Sequence, residues 1–304
     1  MIARVGQEQA VGQEQAVRPG PRSGTAGVAV VTDRVGWEER RLLDALGAQG
    51  VEARWVNDEA LCLGLPKSAV PDCSLALIRS RSYVRGRLLA TLLHAHGIAT
   101  LNRPRAIQLC ENKLDLLQVL HRAGVAVPEF RLVLSRGDLR AALAEFGTPV
   151  VVKPLYGGRG RRVFLLRDQD LAESFYDYVE DLGHGYEQAC LAEPYLSGAA
   201  LRCLVAGERV LATVRFTRAP GEWRSNAAKG AAPHYLADCP DAHALAVRAA
   251  AALGPGIYGI DLFDRPEGPL VGEINHTPGF RAVADVAPLD VAAAIATYIR
   301  EVLG

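Results

Sequence analysis

Apolar and polar positions alternate along the first third of the chain in a way that predicts strands and helices in turn. Between Gly27 and Pro104, short apolar runs such as GVAVV and LALI are separated by segments with helical spacing, such as WEERRLLDAL. Strands that alternate with helices indicate a small parallel sheet covered on both faces. We therefore expect an N-terminal α/β domain over residues 25–105.

The rest of the chain mixes strands and helices in a less regular order. VPEFRLV and PVVVKPL are typical of strands, and the leucine spacing in 112–123 predicts a helix. An apolar stripe over 290–303 predicts a C-terminal helix, for which Asp290 is a good N-cap. Two further α+β lobes are expected, over residues 106–188 and 189–304.

The first residues differ in kind from the rest. The hexapeptide VGQEQA occurs at Val5–Ala10 and again at Val11–Ala16, and a stretch rich in Pro, Gly and Arg follows. Such a composition cannot bury an apolar face. We expect residues 1–24 to form a disordered tail.

Composition excludes some function classes. Of 304 residues, 34 are Lys or Arg and 34 are Asp or Glu, so the overall charge favours neither nucleic acid nor a membrane surface as a partner. No apolar run approaches the length of about 20 residues that spans a bilayer. The six cysteines form no CxxC pair and are expected to be reduced. The cytoplasm is the expected compartment.

One hairpin carries the strongest chemical signal. IYGIDLF and LVGEIN read as strands joined by the turn DRPEG, which would set Asp261 across from Glu273. Side chains two residues apart share a strand face, so Asn275 would point the same way as Glu273. Two carboxylates and an amide oxygen suit magnesium with open positions for water or phosphate. The alternative is a pair of solvated strand faces.

A glycine-rich loop follows another predicted strand. In PVVVKPLYGGRGRRV, Gly157, Gly158 and Gly160 would let backbone N–H groups approach an anion, and Arg159 adds positive charge. Lys153 ends the apolar strand, where it is costly unless it meets an anion. The loop resembles a phosphate cover, although a glycine-rich turn with solvated arginines is the alternative.

Further cationic residues are weaker signals. Lys113 begins a predicted helix and reads either as a phosphate ligand or as a surface lysine. A polar cluster in the last lobe could hold a substrate carboxylate or a transferring phosphoryl group, or consist of ordinary surface arginines. The cluster comprises Arg202, Arg215, Arg218, Arg224 and Asn226.

Six motifs in order resemble a known family: ENKLDLLQVLHRAGVAVPEF, VVVKPLYGGRG, LAEPYL, WRSN, GIDLF and GEINHTPGF. Together they resemble the ATP-grasp carboxylate-amine ligases of the RimK/LysX type, including the ligases that load α-aminoadipate or glutamate onto amino-group carrier proteins. The resemblance runs from about Ala26 to the C-terminus. It implies an ATP-grasp fold preceded by a parallel-sheet pre-ATP-grasp domain.

The resemblance also implies roles for individual residues around ATP and two Mg²⁺ ions. The adenine hinge would be Glu193, Tyr195 and Leu196. The phosphates would meet Lys113, Lys153, Tyr156, Gly157, Gly158, Arg159 and Gly160. The two metal ions would be held by Asp261, Glu273 and Asn275. The transferred phosphate and the activated carboxylate would face Arg202, Arg224 and Asn226.

The chain departs from the family pattern at two positions. Pro194 stands in the hinge where a second acidic residue is usual, so one backbone donor is missing. Ala200 stands where an acidic residue often meets the ribose. ATP would be held less tightly at its ribose unless another residue substitutes.

Substrate contacts are expected on either side of the metal strand. Four arginines crowd the predicted mouth of the first domain, where they could meet an acidic protein tail or an amino-acid carboxylate: Arg79, Arg81, Arg85 and Arg87. A solvated helix start is the alternative. The residues predicted to touch the incoming amino acid are His276, Thr277 and Phe280, and Arg215 is predicted to help hold a carboxylate.

The expected function is an ATP-dependent ligase of amino-acid biosynthesis that forms an amide through an acyl phosphate. It would join an amino acid to the terminal glutamate of a small acidic carrier protein. One alternative is a natural-product ligase that makes a dipeptide or closes a ring on free small molecules. Another is a non-catalytic nucleotide-binding regulatory or scaffold protein. Because relatives are commonly dimers or tetramers, a homo-oligomer is expected.

Overall fold

A computed structural model describes residues 27–157, 162–181, 189–224 and 230–304. The predicted tail, residues 1–24, lies outside the described residues. The helices are α1 (Trp37–Ala48), α2 (Tyr83–Ala95), α3 (Pro104–Glu111), α4 (Lys113–Arg122), α5 (Arg136–Phe146), α6 (Gln169–Asp181), α7 (Pro240–Leu253), α8 (Arg281–Ala284) and α9 (Val291–Leu303). The strands are β1 (Val28–Thr32), β2 (Ala53–Asn57), β3 (Leu75–Ile78), β4 (Ala99–Leu101), β5 (Arg131–Val133), β6 (Val150–Pro154), β7 (Phe164–Leu166), β8 (Cys190–Pro194), β9 (Ala199–Ala206), β10 (Arg209–Thr217), β11 (Ala232–Leu236), β12 (Ile257–Asp264) and β13 (Leu270–Asn275).

The N-terminal sheet is parallel, as the alternating pattern predicts, with strand order β2-β1-β3-β4. All of β1 is buried, and its side chains point alternately to two cores. Val28 and Val30 face Leu42 of α1, whereas Val31 faces α2 and Ile107 of α3. The expected α/β class is confirmed.

The central sheet is antiparallel, with order β5-β8-β6-β7, and has a core of its own. Val150 and Val152 of β6 pack with Leu139 of α5 and with Phe175 of α6. Only Arg131–Val133 of the predicted strand VPEFRLV pairs as a strand. Proline has no backbone N–H, so the segment around Pro128 is poorly suited to a ladder.

The C-terminal sheet is antiparallel, with order β11-β10-β9-β12-β13. One face packs on α4 and α7. The other face shares a core with the N-terminal sheet, where Phe216 and Phe280 meet Leu42 of α1 and Ile295 of α9. The N-terminal and C-terminal units are therefore packed together, and no helix of the described residues is long and apolar enough to cross a bilayer.

Helix boundaries follow the local capping chemistry. Asp290 caps α9 as predicted, since its Oδ1 accepts a hydrogen bond from the Ala293 N–H at 3.0 Å. Asn112 caps α4 in the same way and has extended backbone, which separates α4 from α3. The apolar pattern did not indicate helix α3, because this helix is short. It begins with Pro104, a residue that is common at the first position of a helix.

A buried amide fastens the N-terminal domain to the C-terminal sheet. Asn102 follows β4, and its Nδ2 donates to the backbone carbonyls of Ile257 and His276, each at 2.8 Å. Its Oδ1 accepts from the Ile257 N–H at 2.7 Å. One side chain thus satisfies three backbone groups, two at the first residue of β12 and one directly after the end of β13.

Replacement of this amide is expected to destabilise the protein. Asn102→Ala leaves those backbone groups without their partner, at about 1–3 kcal/mol for each buried group that stays unsatisfied. We expect the free energy of unfolding in urea to fall by about 3 kcal/mol or more. Asn57→Ala removes an exposed bond to the Glu59 N–H and is the control, expected to change stability by less than about 1 kcal/mol. Equal stability of both variants would contradict the role of Asn102.

The cysteines are all free thiols, and Cys62 is exposed. Burial raises the pKa of Cys190 and of Cys203 to about 12. At pH 8 only about one molecule in 10⁴ then carries the reactive thiolate at either position. Iodoacetamide is expected to label Cys62 in the native protein and to spare the two buried thiols, as measured by peptide mass spectrometry. Denatured protein, in which all sites react, is the control; fast native labelling of Cys190 would refute the prediction.

Candidate functional site

Three neighbouring strands bring three charged residues into one row. Asp261 of β12 lies opposite Glu273 of β13, as predicted, and opposite Arg202 of β9 on its other side. Arg202 holds Asp261 with a two-pronged ion pair, from Nε to Oδ1 and from Nη2 to Oδ2, each at 2.7 Å. We call Arg202, Asp261 and Glu273 the charged row.

A β-bulge in β13 lies next to the charged row and affects where its side chains point. The register shifts between Asp261 and Leu262, with Gly272 as the extra residue. A Cβ on Gly272 would come within 2.7 Å of the Phe263 ring, so a larger residue does not fit without a shift. Bulges commonly re-aim a neighbouring side chain next to an active site. Beyond the bulge, Asn275 Nδ2 lies 3.4 Å from Asp261 Oδ2, so the three predicted metal ligands are brought together.

Lys113 extends the row at the start of α4. Its Nζ lies 3.9 Å from Glu273 Oε1 and donates to the carbonyl of Gly157 at 2.6 Å. Burial lowers the pKa of Lys113, and Glu273 acts against that shift. Burial, reinforced by Asp261, raises the pKa of Glu273, while Lys113 opposes the rise. The two carboxylates repel each other, and nearby positive charge relieves the repulsion.

The second predicted lysine lies on the facing sheet. Lys153 of β6 is buried, and its Nζ forms an ion pair of 2.6 Å with Glu193 Oε2 on the adjacent strand β8. A lysine at the end of an apolar strand therefore has an anionic partner within the protein. The carboxylate of Glu193 points toward Lys153. Tyr195 and Leu196, the other two residues of the predicted hinge, also line the cleft.

A cleft of about 1130 Å³, partly open to solvent, lies between the central and C-terminal sheets. Both lysines and the whole charged row line it. The apolar part of the wall includes Val151, Val163, Leu196, Phe216, Trp223 and Phe263. The sequence offered no reason to single out most of these side chains, because an apolar residue gives the same signal in a core and in a pocket. The cleft is lined by both apolar and strongly charged side chains.

An arginine lines the cleft close to Ala200. Phe216 pairs with Ala200 across β9 and β10, and Arg218 follows two residues later. Arg218 Nη1 donates to the Tyr195 hydroxyl at 3.0 Å, and its Nη2 donates to the Gly198 carbonyl. A guanidinium thus lies beside Tyr195, one of the three residues predicted to form an adenine hinge. The sequence had marked Arg218 only as one member of a polar cluster.

The remaining predicted cleft residues have mixed outcomes. Arg224 lines the cleft and forms an ion pair with Glu222, at 2.9 Å between Nη2 and Oε2. Gly157 lines the cleft as well. The predictions for Gly158, Arg159, Gly160 and Asn226 lie outside the described residues.

A side chamber of about 630 Å³, partly open to solvent, adjoins the cleft and shares Gly157 and Glu273 with it. Its other lining residues are Val84, Cys110, Glu111, Tyr156, Arg162, Ile274, Asn275 and His276. Tyr156 therefore faces this chamber, where its hydroxyl accepts a hydrogen bond from Asn112 Nδ2 at 3.0 Å. Burial lowers the pKa of His276 to about 4, so its imidazole is neutral at pH 7.

Two predicted substrate contacts are wrong because the residues are buried. Arg79 donates from Nε to Glu39 Oε1 at 3.1 Å and from Nη1 to the Pro278 carbonyl at 2.9 Å. It anchors the interface between the N-terminal and C-terminal units and does not line a mouth. Phe280 is fully buried in the core those units share, with its ring centroid 5.7 Å from that of Trp37.

Other predicted substrate contacts are surface ion pairs or turn residues. Arg215 pairs with Asp264 at 2.7 Å and does not line the cleft. Arg85 pairs with Asp58 at 3.0 Å, and the hydrogen bonds of Arg81 hold the pKa of Asp33 near 2. The Thr277 hydroxyl lies 3.0 Å from His276 Nδ1 and 3.5 Å from the Ile78 carbonyl, and Thr277 lines neither space.

The side-chain oxygens of Asp261, Glu273 and Asn275 form a set of ligands that fits magnesium. Among the described residues no group of three or more His, Cys, Asp or Glu could hold a metal ion. A cation site here would therefore use two carboxylates and the Asn275 amide oxygen, and would be completed by oxygens of a ligand or water. Oxygen-only ligands with open positions are what Mg²⁺ takes beside phosphates. The repulsion between Asp261 and Glu273 also favours a cation between them.

Comparison with known proteins agrees with this geometry. The model of the RimK-like ATP-grasp domain matches residues 110–299, and the model of the LysX preATP-grasp domain matches residues 28–109. The chain is 34% identical over 209 residues to a protein of Azotobacter vinelandii named "Probable alpha-L-glutamate ligase", which covers 67% of this chain and 68% of that protein.

A second relative matches over nearly its whole length. The chain is 28% identical over 277 residues to the glutamate–LysW ligase ArgX of Sulfurisphaera tokodaii, which covers 90% of this chain and 98% of the relative. A crystal structure of a RimK domain ATP-grasp protein from Sphaerobacter thermophilus has a TM-score of 0.76 and 30% identity. That match covers 90% of this chain and 99% of the other.

Proposed function

The chain belongs to the family of RimK-like ATP-grasp ligases, and from this membership we propose that it joins an amino acid to the terminal glutamate of a small acidic carrier protein. The resemblance seen in the sequence is confirmed, and so is the assignment as a ligase. Family members use ATP and Mg²⁺. The carrier, the amino acid and the roles of individual residues are parts of the proposal.

One observation carries the residue assignment: Lys113, Lys153 and the charged row line the same cleft as a set of apolar side chains. The apolar walls suit adenine, and the two lysines suit the triphosphate. Arg218 would donate to the ribose oxygens, in place of the missing acidic residue at Ala200. Asp261, Glu273 and Asn275 would hold two magnesium ions, which neutralise charge on the phosphates.

The mechanism follows from where the charges lie. A substrate carboxylate attacks the γ-phosphate, which gives ADP and an acyl phosphate, and an amine then displaces inorganic phosphate to form the amide. Arg202 fixes the orientation of Asp261, and Glu193 fixes that of Lys153. Arg224 lies on the cleft wall, where it would stabilise charge on the transferred group. Positioning and electrostatics supply the acceleration, and no protein nucleophile is needed.

Two features support a carrier protein as the acid substrate. The relative that matches over 98% of its length is named as a ligase that acts on LysW. Arg81 is 42% exposed and its pair with Asp33 lies near the surface, so an acidic partner can take over from Asp33 at little cost, because such pairs contribute only about 0–1 kcal/mol. Arg85 is also partly exposed, but its partner Asp58 is buried, so Arg85 can bind an acidic partner only while it keeps this ion pair. Because its cysteines are free thiols, we place the reaction in the cytoplasm.

The proposed chemistry is tested by hydroxylamine trapping. Purified protein is incubated with ATP, Mg²⁺ and hydroxylamine, with free acids or with small acidic proteins that end in glutamate. ADP release together with hydroxamate is expected only with the carrier-type acid. Glu273→Gln removes one negative ligand and is expected to lower the rate at least about a hundredfold, because aligned charged groups contribute that much. Exposed Glu129→Gln is the control and should retain activity.

Each outcome of this assay is informative. Hydroxamate from free glutamate or dipeptides, and from no protein, would replace the carrier with a small molecule. ATP binding without ADP release for any acid would favour the non-catalytic nucleotide-binding protein. Normal turnover of Glu273→Gln, with an unchanged circular dichroism spectrum, would remove that residue from the site.

Lys153 provides a separate test of nucleotide binding. A charge-assisted bond to phosphate contributes about 1.5–3 kcal/mol, so Lys153→Met is expected to raise the Kd for ATP roughly ten- to a hundredfold in calorimetry. The double variant Lys153→Met with Glu193→Gln leaves no uncompensated buried charge and should bind ATP as weakly. Exposed Lys67→Met is the matched control. Unaltered affinity in the folded double variant would exclude Lys153 from the phosphate site.

A further inference from the structure

The side chamber is separated from the nucleotide cleft only by residues that both spaces share. Glu273 and Gly157 line both, so a molecule in the chamber would lie directly beside the charged row. The chamber measures about 630 Å³ including its open part, so it has room for a ligand of amino-acid size. His276, predicted from the sequence to touch the incoming amino acid, lines this chamber, whereas Glu111, which also lines it, was given no role.

The chamber wall contains the carboxyl group of Glu111, and one of its oxygens has no hydrogen-bond partner among the described residues. Glu111 is the last residue of α3, and its side chain is only 10% exposed. Its Oε2 forms an ion pair of 2.9 Å with Arg87 Nε, which orients the carboxylate. Its Oε1 is buried and, among the described residues, has no hydrogen-bond partner. A buried carboxylate oxygen without a donor is unfavourable, and buried polar groups in native proteins normally have a partner.

A charge of opposite sign lines the same chamber. Arg162 faces it from the segment before β7, and its Nη2 lies 3.4 Å from the Tyr156 carbonyl, a long and weak contact. Burial raises the pKa of Glu111 to about 7, against the effect of Arg87. The chamber thus presents a carboxyl group that is about half ionised at pH 7 and a cation at Arg162. A zwitterion with an ammonium and a carboxylate group complements both, whereas a simple carboxylic acid complements only one.

We propose that the side chamber binds the amino-acid substrate, with Glu111 accepting hydrogen bonds from its ammonium group and Arg162 pairing with its carboxylate. The inference rests on the proposed ligase function and adds the residues that select the amine. It places the amino acid on the opposite side of Glu273 from the nucleotide. Glu111 acts as a specificity-determining residue, because a ligand without the ammonium group leaves its Oε1 unpaired.

The test compares two variants that break the same ion pair from opposite sides. Glu111→Gln removes the carboxylate and keeps the side-chain size, while Arg87→Gln removes only its partner. With the best of the twenty standard amino acids as amine, we expect Glu111→Gln to raise the amino-acid KM at least tenfold. Loss of Arg87 raises the pKa of Glu111 further, so the KM of Arg87→Gln is compared with that of the wild type at pH 9, where Glu111 is ionised again, and is expected there to change less than threefold. ADP release trapped by hydroxylamine uses no amino acid, so the effect of Glu111→Gln should fall on KM and not on that reaction.

Failure of this inference can be distinguished from failure of the proposed function. An unchanged amino-acid KM in Glu111→Gln overturns the role of Glu111. An equal rise in both variants also overturns it, since the pair would then serve only structure. If the wild type shows no hydroxylamine-dependent ADP release, the proposed function fails, and calorimetry with L-glutamate and with glutarate decides the inference. Binding of L-glutamate that is lost in Glu111→Gln and kept in Arg87→Gln supports it; equal binding of both compounds, or none, refutes it.

Discussion

The register of three antiparallel strands is the constraint on which the site depends. In β9, β12 and β13 the pairing puts Arg202, Asp261 and Glu273 side by side on one face. On the opposite face of β12, Tyr258, Ile260 and Leu262 are fully buried. A slip of one residue would send the carboxylates into the core and the apolar side chains into the cleft. The hydrophobic core therefore fixes the alignment of the charges, and the bulge at Gly272 adjusts it locally.

Packing divides the chain differently from its order along the sequence. The N-terminal sheet and the C-terminal sheet share one core, and the C-terminal helix α9 lies within it. Asn102 and Arg79 add buried polar links between the two units. The central sheet has a separate core. The cleft thus lies where two independently packed bodies meet, the usual place for a site that must admit and release a ligand.

Burial separates arginines that look alike in the sequence. Arg79 serves structure within the interface, Arg202 positions a carboxylate in the cleft, and Arg81 forms a partly exposed pair with Asp33. The same holds for acidic residues, since Glu193 and Glu111 each have one oxygen paired and the other buried without a hydrogen-bond partner among the described residues. Local composition does not contain this information. Each role depends on which residues from distant parts of the chain surround the group.

The sequence by itself determined the parallel N-terminal sheet, the hairpin that opposes Asp261 and Glu273, the cap at Asp290 and the family. These features depend on spacing, alternation and turn chemistry within a few residues, or on ordered motifs. The tertiary structure alone decided that Arg79 and Phe280 are interior, that Arg218 lies beside the hinge, and that Glu111 faces a chamber next to Glu273. Such facts depend on contacts between segments far apart in sequence, for which local periodicity carries no signal.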